Sequence, residues 1–234
     1  MSGWLDPQAA AAWDSESDAS PTRGLHLDLL LDVLQAFAPA RVLELGIGTG
    51  RVAEAVLERT SAHVVGVDSS PAMLDMARTR LERFGDRVEL VEADLSGSSW
   101  LRGEPANAIV TVQTLHHLPN GTKATVLRRL ARVLADDGIV LMRDKVTVPE
   151  ELFDAFRVVW RRQPTPMPET PAAYDEELRT KGDQPASLVD QLAWLREGGL
   201  EPAVLHVEAH YALFVARFPT SRRRELPRGA SAPE

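Results

Sequence analysis

The 234-residue sequence contains no cysteine, which excludes disulfides and thiolate metal sites. It also lacks an apolar run of about 18 residues, the length that a membrane span needs. Its first residues lack the basic start and apolar core of a secretory signal. The formal charge of −8 disfavours broad electrostatic binding to nucleic acid. We therefore expect a cytoplasmic protein that does not span a membrane and for which a nucleic-acid partner is disfavoured, although a local basic patch could survive the overall charge.

The length and a hydrophobic content of 44% are sufficient for one large domain with a sizeable core. We expect an N-terminal arm over residues 1–23 and a folded domain over residues 24–218. Residues 219–234 are basic and contain proline, which predicts a disordered tail. A helix is predicted over Gly24–Phe37 from apolar residues at helical spacing.

A strand, a glycine-rich loop and a helix follow one another over Arg41–Thr60. Val42, Leu43 and Leu45 form a short apolar run that is typical of a buried parallel strand. Gly46, Gly48 and Gly50 then occupy alternate positions, where glycine permits a tight turn and the close approach of a ligand. The N-terminus of the following helix is expected to offer free N–H groups and a partial positive charge.

The glycine spacing is G-x-G-x-G, which differs from the G-x-G-x-x-G spacing of dinucleotide-binding loops. Glu44 stands at the strand end, two residues before the first glycine. A carboxylate here disfavours a pyrophosphate and favours a cationic group, such as the ammonium of an amino acid. Glu44–Gly50 resembles the signature E/D-x-G-x-G-x-G of the class I S-adenosylmethionine-dependent methyltransferases. A nicotinamide-dependent enzyme is the alternative, and Glu44 counts against it.

The next two predicted strands, 62–67 and 87–91, each end at acidic residues. Asp68 lies at the distance from the glycine loop at which a carboxylate accepts hydrogen bonds from ribose hydroxyls, although helix capping alone is the alternative. The resemblance implies that Asp94 binds the adenine amino group. Met73 lies against the adenine ring or packs in the core. The predicted cofactor site comprises Glu44, Gly46, Ile47, Gly48, Gly50, Asp68, Ser69, Met73, Ala93, Asp94, Leu95 and Gln113.

A fourth strand, 108–112, leads into the segment Gln113–Pro119, which resembles the fourth motif of the same family. Ligands bind at the carboxyl ends of such strands, so this loop can supply a general base. His116 and His117 are the first candidates, followed by His210 and then by Lys145 and Asp144. Neighbouring side chains usually diverge in a tight loop. We therefore expect one histidine, slightly favouring His117, to face the pocket while the other anchors the loop.

Some quinone-pathway O-methyltransferases carry metal-binding carboxylates where this sequence has Gln113 and His116. Adjacent histidines rarely converge on one ion without further ligands. We therefore predict that no metal is bound.

The second half of the chain is predicted to hold a helix over Thr122–Ala135 and a fifth strand over Ile139–Met142. The polar residues that close this strand, Arg143–Lys145, could face the pocket. An insertion over residues 147–185 is predicted to form a partial lid with one short helix and an irregular segment over the four prolines 164–171. An ordinary surface excursion is the alternative. The aromatic residues of the insertion suggest that the methyl acceptor is an apolar or flat molecule. A helix over Ser187–Glu197 then precedes an antiparallel hairpin of residues 203–207 and 211–218.

The resemblance covers about Leu25–Phe218. It implies an α/β fold with a Rossmann-like seven-stranded sheet in the order 3-2-1-4-5-7-6 and a helical lid insertion after strand five. The implied activity is metal-independent methyl transfer from S-adenosyl-L-methionine to an oxygen or nitrogen of a small molecule, as in secondary metabolism, by a monomer or homodimer. S-Adenosyl-L-homocysteine is the implied product. The alternatives are a tRNA or protein methyltransferase, and a cofactor-binding protein that catalyses a non-methylating reaction such as a cyclisation.

Overall fold

The computed structural model describes residues 21–161 and 167–220. The arm predicted over residues 1–23 therefore lies mostly outside the described residues, as does the tail predicted over residues 219–234. The first helix begins at Pro21, three residues before its predicted start at Gly24. Its first two turns bury two polar residues, Arg23 and His26, beneath the rest of the domain.

Seven strands form one sheet in the order β3-β2-β1-β4-β5-β7-β6, as predicted. The first five strands are parallel to one another, and β7 is antiparallel to both of its neighbours. The β-branched and leucine-rich runs of the central strands are buried on both faces, as parallel sheets require. The strands are β1 Arg41–Leu45, β2 His63–Asp68, β3 Val88–Glu92, β4 Ala106–Val112, β5 Leu134–Lys145, β6 Glu201–Glu208 and β7 Tyr211–Arg217.

Helices cover both faces of this sheet and form two hydrophobic clusters with it. The first three helices pack on one face, and the fourth and seventh pack on the other. Within the described ranges, no helix is both long and apolar enough to cross a membrane. The helices are α1 Pro21–Phe37, α2 Arg51–Arg59, α3 Pro71–Leu81, α4 Asn120–Arg129, α5 Phe153–Trp160, α6 Pro171–Lys181 and α7 Leu188–Glu197.

The connection between α4 and β5 differs from the prediction. The helix predicted to continue to Ala135 ends at Arg129, and a 3₁₀ turn over Leu130–Arg132 follows. β5 begins at Leu134, five residues before its predicted start, because Leu134 pairs with Ala106 of β4. Pairing with a neighbouring strand thus overrides the helical spacing of the apolar residues here.

The insertion after β5 contains two helices, where one was predicted. Pro171 lies at the start of α6, a position where the missing N–H of proline costs no hydrogen bond. The Thr170 side chain caps this helix by accepting a hydrogen bond from the Ala173 N–H at 3.2 Å. Phe153, Met167 and Tyr174 form a small separate core between the two helices. The prediction of an irregular segment up to Pro171 was therefore wrong at its end.

Candidate functional site

The glycine loop between β1 and α2 takes a backbone conformation that favours glycine. Gly46, Gly48 and Gly50 have φ angles of 71°, 54° and 83°. A Cβ atom on Gly46 would lie 2.2 Å from Cγ2 of Thr114 in the β4 loop. A Cβ on Gly66 of β2 would lie 2.1 Å from Cδ1 of Ile47. Two adjoining segments therefore press against this loop and fix its position.

Four N–H groups of the glycine loop donate hydrogen bonds within the protein. The N–H groups of Gly46 and Ile47 both donate to the Val67 carbonyl, at 2.8 and 3.0 Å. Gly48 N–H donates to Asp68 Oδ2 at 2.9 Å, and Gly50 N–H donates to the Ile47 carbonyl. The loop is therefore held by the end of β2.

Asp68 connects the glycine loop to the start of α3. Its second carboxylate oxygen accepts a hydrogen bond from the Ser70 N–H at 2.9 Å. Ser70 caps α3 by accepting from the Met73 N–H, whereas Ser69 is exposed beside it. Burial raises the pKa of Asp68, and the backbone N–H groups oppose this rise. Asp68 thus holds the loop in place, which is compatible both with ribose binding and with a role in capping the helix alone.

Glu44 is buried at the carboxyl end of β1, with 2% of its surface exposed. Its Oε2 atom has no hydrogen-bond partner within the described residues. Burial raises the pKa of Glu44 well above its usual range, and the nearby Asp68 raises it further. Arg23 of α1 counteracts part of this effect. A buried, unsatisfied carboxyl group is costly, so this position fits a ligand that brings a cationic donor.

The segment after β3 contains the predicted adenine-binding residues. Ala93 and Leu95 are buried, Asp94 is exposed, and Met73 of α3 is buried. Asp94 Oδ1 accepts a hydrogen bond from the Ser96 N–H at 2.7 Å. Trp100, which belongs to no motif in the sequence, anchors the segment because its indole N–H donates to the Leu95 carbonyl at 3.1 Å.

The two adjacent histidines of the β4 loop do not diverge, which corrects the expectation from the sequence. Their ring centroids are 4.1 Å apart, and both rings reach Asp183, which follows α6. His117 Nδ1 lies 3.1 Å from Asp183 Oδ1, and His116 Nε2 lies 3.6 Å from the same oxygen. They converge because the insertion returns to the sheet here, where Gln184 N–H donates to the His116 carbonyl at 2.6 Å.

The two histidines differ in burial. His116 is 3% exposed, and its Nδ1 atom is hydrogen-bonded to Asp144 of β5. Burial lowers the pKa of His116, an effect that Asp144 only partly offsets. The side chain of His117 is 26% exposed. His116 is therefore part of a buried network, whereas His117 borders the space outside it.

Lys145 completes this network from the last residue of β5. Its ammonium group contacts the second carboxylate oxygen of Asp183. Burial alone would raise the pKa of Asp183, but His117, His116 and Lys145 outweigh burial and hold it well below its usual range. The ammonium group of Lys123, in α4, is directed to the Gln184 carbonyl and supports the same turn.

His210, the third candidate base, lies in the turn between β6 and β7. It is 3% exposed and stacks face to face on Trp160 of α5, with ring centroids 3.8 Å apart and planes 12° apart. Burial lowers the pKa of His210 well below its usual range, and Lys145 and Arg143 lower it further. Trp160 therefore covers a ring that was predicted as a candidate base.

The ends of β4, β5 and β7 bring three further polar side chains together. Gln113 has a φ angle of 54°, and its N–H donates to the Arg143 carbonyl at 2.8 Å. Gln113 Nε2 lies 3.5 Å from the Tyr211 hydroxyl, and the Arg143 guanidinium lies over the Tyr211 ring at 4.1 Å. Arg143 was expected from the sequence as a residue that could face the pocket, without a role of its own.

His116, His117 and Asp183 could together hold a metal ion, because one ligand atom from each lies within 4.8 Å of the others. The Asp144 contact on the far nitrogen of His116 resembles the outer support of metal-bound histidines. However, the Lys145 ammonium group already contacts Asp183 and supplies a positive charge at the same carboxylate. Both arrangements are chemically reasonable for these residues.

Asp183 was missed because the sequence around it contains no motif. Gly182 ends α6 in the left-handed conformation, and Asp183 is simply the next residue. The sequence feature that could have indicated Asp183 is its place in a short polar turn just before Pro185. After this turn the chain returns to the sheet, where Val146 pairs with Ala186. Gly66 and Thr114 were missed for the same reason, since each matters through a contact with a distant segment.

Comparison with known sequences gives a match to the family described as methyltransferase domain, over residues 42–138. A carboxy-S-adenosyl-L-methionine synthase of Campylobacter lari is 28% identical over 146 residues, which are 61% of this chain and 61% of that protein. An uncharacterized methyltransferase of Mycobacterium bovis is 33% identical over 158 residues, with 58% of this chain and 64% of that protein covered. The chain thus spans about three fifths of the length of the curated relatives that it matches.

A solved structure with a similar fold is the N-methyltransferase NodS of Bradyrhizobium japonicum in complex with S-adenosyl-L-homocysteine. It superposes with a TM-score of 0.61 at 19% identity and covers 86% of this chain and 90% of that one. This likeness supports the fold, and the sequence match covers the glycine loop, Asp68, Asp94 and the histidine pair. The methyltransferase-domain match over residues 42–138 and the seven-stranded sheet both support a class I S-adenosylmethionine-dependent methyltransferase.

Proposed function

We propose that this protein transfers a methyl group from S-adenosylmethionine to an oxygen or nitrogen atom of a small molecule. The observation that carries the proposal is His117, which is partly exposed at the carboxyl edge of the sheet with Asp183 behind it. The buried, unsatisfied Glu44 oxygen supports the cofactor assignment, because the ammonium of an amino acid would satisfy it. S-Adenosyl-L-homocysteine is bound in the structure of NodS, which is consistent with the same cofactor here.

When bound, S-adenosylmethionine supplies a methyl group on a positively charged sulfur. Glu44 would bind the amino-acid end and Asp68 the ribose, while Asp94 would bind the adenine. The protein then needs to align the acceptor with the methyl group and exclude water, which is mainly a matter of positioning. Trp160 of α5 stacks on His210, and we propose that this part of the insertion provides the exclusion as a lid.

A hydroxyl or ammonium acceptor must also lose a proton, and we propose that His117 accepts it. Its Nδ1 atom lies 3.1 Å from Asp183 Oδ1, and its side chain is 26% exposed. The Asp183 carboxylate would stabilise the imidazolium that forms, as carboxylates do behind catalytic histidines. His116 would hold the loop from behind through Asp144.

We propose further that the reaction needs no metal. The Lys145 ammonium group is already the cation at Asp183, and a divalent ion beside it would add a repulsive charge. Exhaustive dialysis against EDTA should therefore leave both turnover and thermal stability unchanged. A loss of either that added Zn²⁺ or Mg²⁺ restores would replace this proposal with a metal centre at His116, His117 and Asp183.

The cofactor assignment is tested by thermal shift and calorimetry with S-adenosyl-L-homocysteine. We expect micromolar-range binding, and Asp68→Ala should weaken it by about 1.5–3 kcal/mol, the value typical of hydrogen bonds to charged groups. Glu92→Ala, an exposed acidic residue on the neighbouring strand, serves as the matched control. No thermal shift at millimolar concentrations of S-adenosyl-L-homocysteine would refute the proposed function.

A second candidate is a reaction at the cofactor that is not methyl transfer. The Campylobacter lari relative is named for the synthesis of a carboxylated S-adenosylmethionine, and it is 28% identical. Mass spectrometry of the products decides between the two. A methylated acceptor with S-adenosyl-L-homocysteine supports methyl transfer, and a modified cofactor supports the alternative.

The net charge of −8 disfavours a tRNA substrate. RNA binding that persists at physiological salt would support a tRNA methyltransferase instead.

A further inference from the structure

Arg143 is a buried charge with unused hydrogen-bond donors. It occupies the carboxyl end of β5, is 1% exposed, and ranks among the largest fully buried side chains of the described residues. Its Nε–H donates to His26 Nδ1 at 3.2 Å. Its two terminal nitrogens, Nη1 and Nη2, are buried and have no hydrogen-bond partner within the described residues.

The surroundings of Arg143 do not neutralise its charge. Within the described ranges, Arg143 forms no ion pair, and its guanidinium lies over the face of the Tyr211 ring, 4.1 Å from the ring centroid. Burial lowers the pKa of Arg143 to about 10, so the guanidinium remains charged near neutral pH. The carboxylate of Asp144 raises this pKa, but it is directed to the opposite face, where it contacts His116. A buried charge without a counter-ion is costly, which suggests that a bound anion completes the arrangement.

The position of Arg143 links it to the methyl-transfer site. Glu44 of β1 pairs with Val110 of β4, and Val110 pairs with Leu141 of β5. Arg143 comes two residues after Leu141 in β5, so it lies closer than Glu44 to the carboxyl ends of the parallel strands. Arg143 thus lies at the same edge of the sheet as the proposed cofactor site.

Gln113 adds a second unsatisfied group to this place. Its Oε1 atom is buried and has no hydrogen-bond partner in the described part of the chain. Its Nε2 atom and the Tyr211 hydroxyl are 3.5 Å apart, and its backbone is bonded to that of Arg143. Two buried donors and one buried acceptor are therefore left at the ends of β4 and β5, which is the complement of a polar, anionic ligand.

We propose that Arg143 binds a carboxylate group of the acceptor, so that the substrate is an organic acid. The guanidinium presents two parallel N–H groups, the geometry that a carboxylate matches with two hydrogen bonds. Gln113 Oε1 accepts a hydrogen bond from a hydroxyl or amino group of the same molecule. This inference rests on the proposed function, because it identifies the acceptor of that reaction.

The test uses the full chain saturated with S-adenosyl-L-homocysteine and compares two carboxylates with their neutral amides. Benzoate and acetate are the probes, and benzamide and acetamide are the matched neutral compounds. Thermal shift and calorimetry are measured for the wild type, R143M and R143K. Arg217→Met is the control, because Arg217 also lies over an aromatic ring, that of Phe37, at the far end of β7.

We expect at least one of the two carboxylates to stabilise the wild type and R217M, and its neutral amide to have no comparable effect. R143M should lose at least tenfold in affinity for that carboxylate, and R143K should retain part of it, since lysine keeps the charge without the paired donors. Without a carboxylate, R143M should be at least as stable as the wild type, because it removes an uncompensated buried charge.

Three outcomes would overturn the proposal: equal responses to carboxylate and amide, no response to either carboxylate, or an undiminished response in R143M. A purely structural arginine predicts no carboxylate response together with a lower melting temperature for R143M. Binding of S-adenosyl-L-homocysteine is measured separately in every variant. If the wild type binds it but no carboxylate, the acceptor proposal fails while the proposed function stands.

Discussion

The cofactor side and the acceptor side of the site are built in different ways. The cofactor side, at the ends of β1 and β2, is held by backbone hydrogen bonds between residues about twenty positions apart, such as Ile47 and Val67. The acceptor side, at the ends of β4, β5 and β7, is held by buried charged side chains that are 28 or more positions apart, such as His116 and Asp144. Lys145 and Asp183 are 38 positions apart.

This difference predicts which substitutions disrupt each side of the site. A backbone-built loop is sensitive to added atoms, because its turns have no room for them. A network of buried charges is sensitive to the removal of one partner, because the remaining charge is left without compensation. Single substitutions can therefore separate the two sides by their effect on stability, on cofactor binding and on turnover.

The largest effect is expected for His117 on the acceptor side. His117→Asn should lower turnover by about 10²–10⁴-fold, the contribution typical of a general base, with the affinity for S-adenosyl-L-homocysteine nearly unchanged. Steady-state kinetics and calorimetry measure the two quantities. His63→Asn, at the far end of β2, is the control and should leave turnover unchanged.

His116→Asn should act differently, because it removes a buried partner of Asp144 and so costs stability in addition to any loss of turnover. If both histidine variants keep turnover within a few-fold of the wild type, neither residue is the base. The acceptor would then react already deprotonated, or would lose its proton to Lys145 or His210.

Asp183 should be the most important residue for stability on the acceptor side. Asp183→Asn leaves Lys145 without its counter-ion and should lower the unfolding free energy by about 3–5 kcal/mol, measured by urea denaturation. Asp154, whose side chain is 97% exposed, is the matched control. Asp154→Asn should change stability by less than about 1 kcal/mol. Equal effects of the two substitutions would contradict a network of buried charges.

The substitution Gly46→Ala tests the cofactor side, because it adds a single carbon atom to the glycine loop. Gly46→Ala combines a left-handed backbone with a Cβ atom 2.2 Å from Thr114, so crowding should cost about 1–3 kcal/mol beyond the backbone strain. Gly48→Ala is the control, since it has a similar φ angle with no atom within 4 Å of the new Cβ. The double variant Gly46→Ala/Thr114→Gly removes the crowding side chain and should recover most of the difference. Equal losses in Gly46→Ala and Gly48→Ala would show that Thr114 does not confine the loop.

The smallest effect near neutral pH is a dependence of stability on pH that arises on the acceptor side. Burial, Arg143 and His206 lower the pKa of His26 to about 3, against about 6.5 in the unfolded chain. The unfolded state therefore binds more protons between these values, and stability should fall as the pH falls below about 6.5. The slope from one such group is at most about 1.4 kcal/mol per pH unit.

Denaturation at several pH values measures this slope. His26→Gln should flatten it, and His63→Gln serves as the matched control. Glu44 on the cofactor side has a raised pKa and contributes with the opposite sign, losing stability as the pH rises above the usual range of a carboxyl group. An unchanged slope in His26→Gln would mean that the buried histidine is not the source of acid sensitivity.

The sequence by itself determined the parts of this protein that depend on local order. The apolar run of β1, the three glycines and the capped start of α3 are neighbours in the chain, so their spacing predicts both the turn and the side chains beside it. The predicted strand order was confirmed, although it came from the resemblance that these local motifs carry and not from pairing rules.

Only the tertiary structure decided which charges meet. Asp183, with no motif of its own, joins the histidine pair because α6 ends beside the β4 loop. His210 was a candidate base by its residue type, but α5 covers it with Trp160. Arg143 stood out as a charge at a strand end, yet the absence of a partner for its Nη1 and Nη2 atoms among the described residues is a property of its surroundings. Burial and long-range contacts set the energy of a charged group, and neither can be read from its neighbours in the sequence.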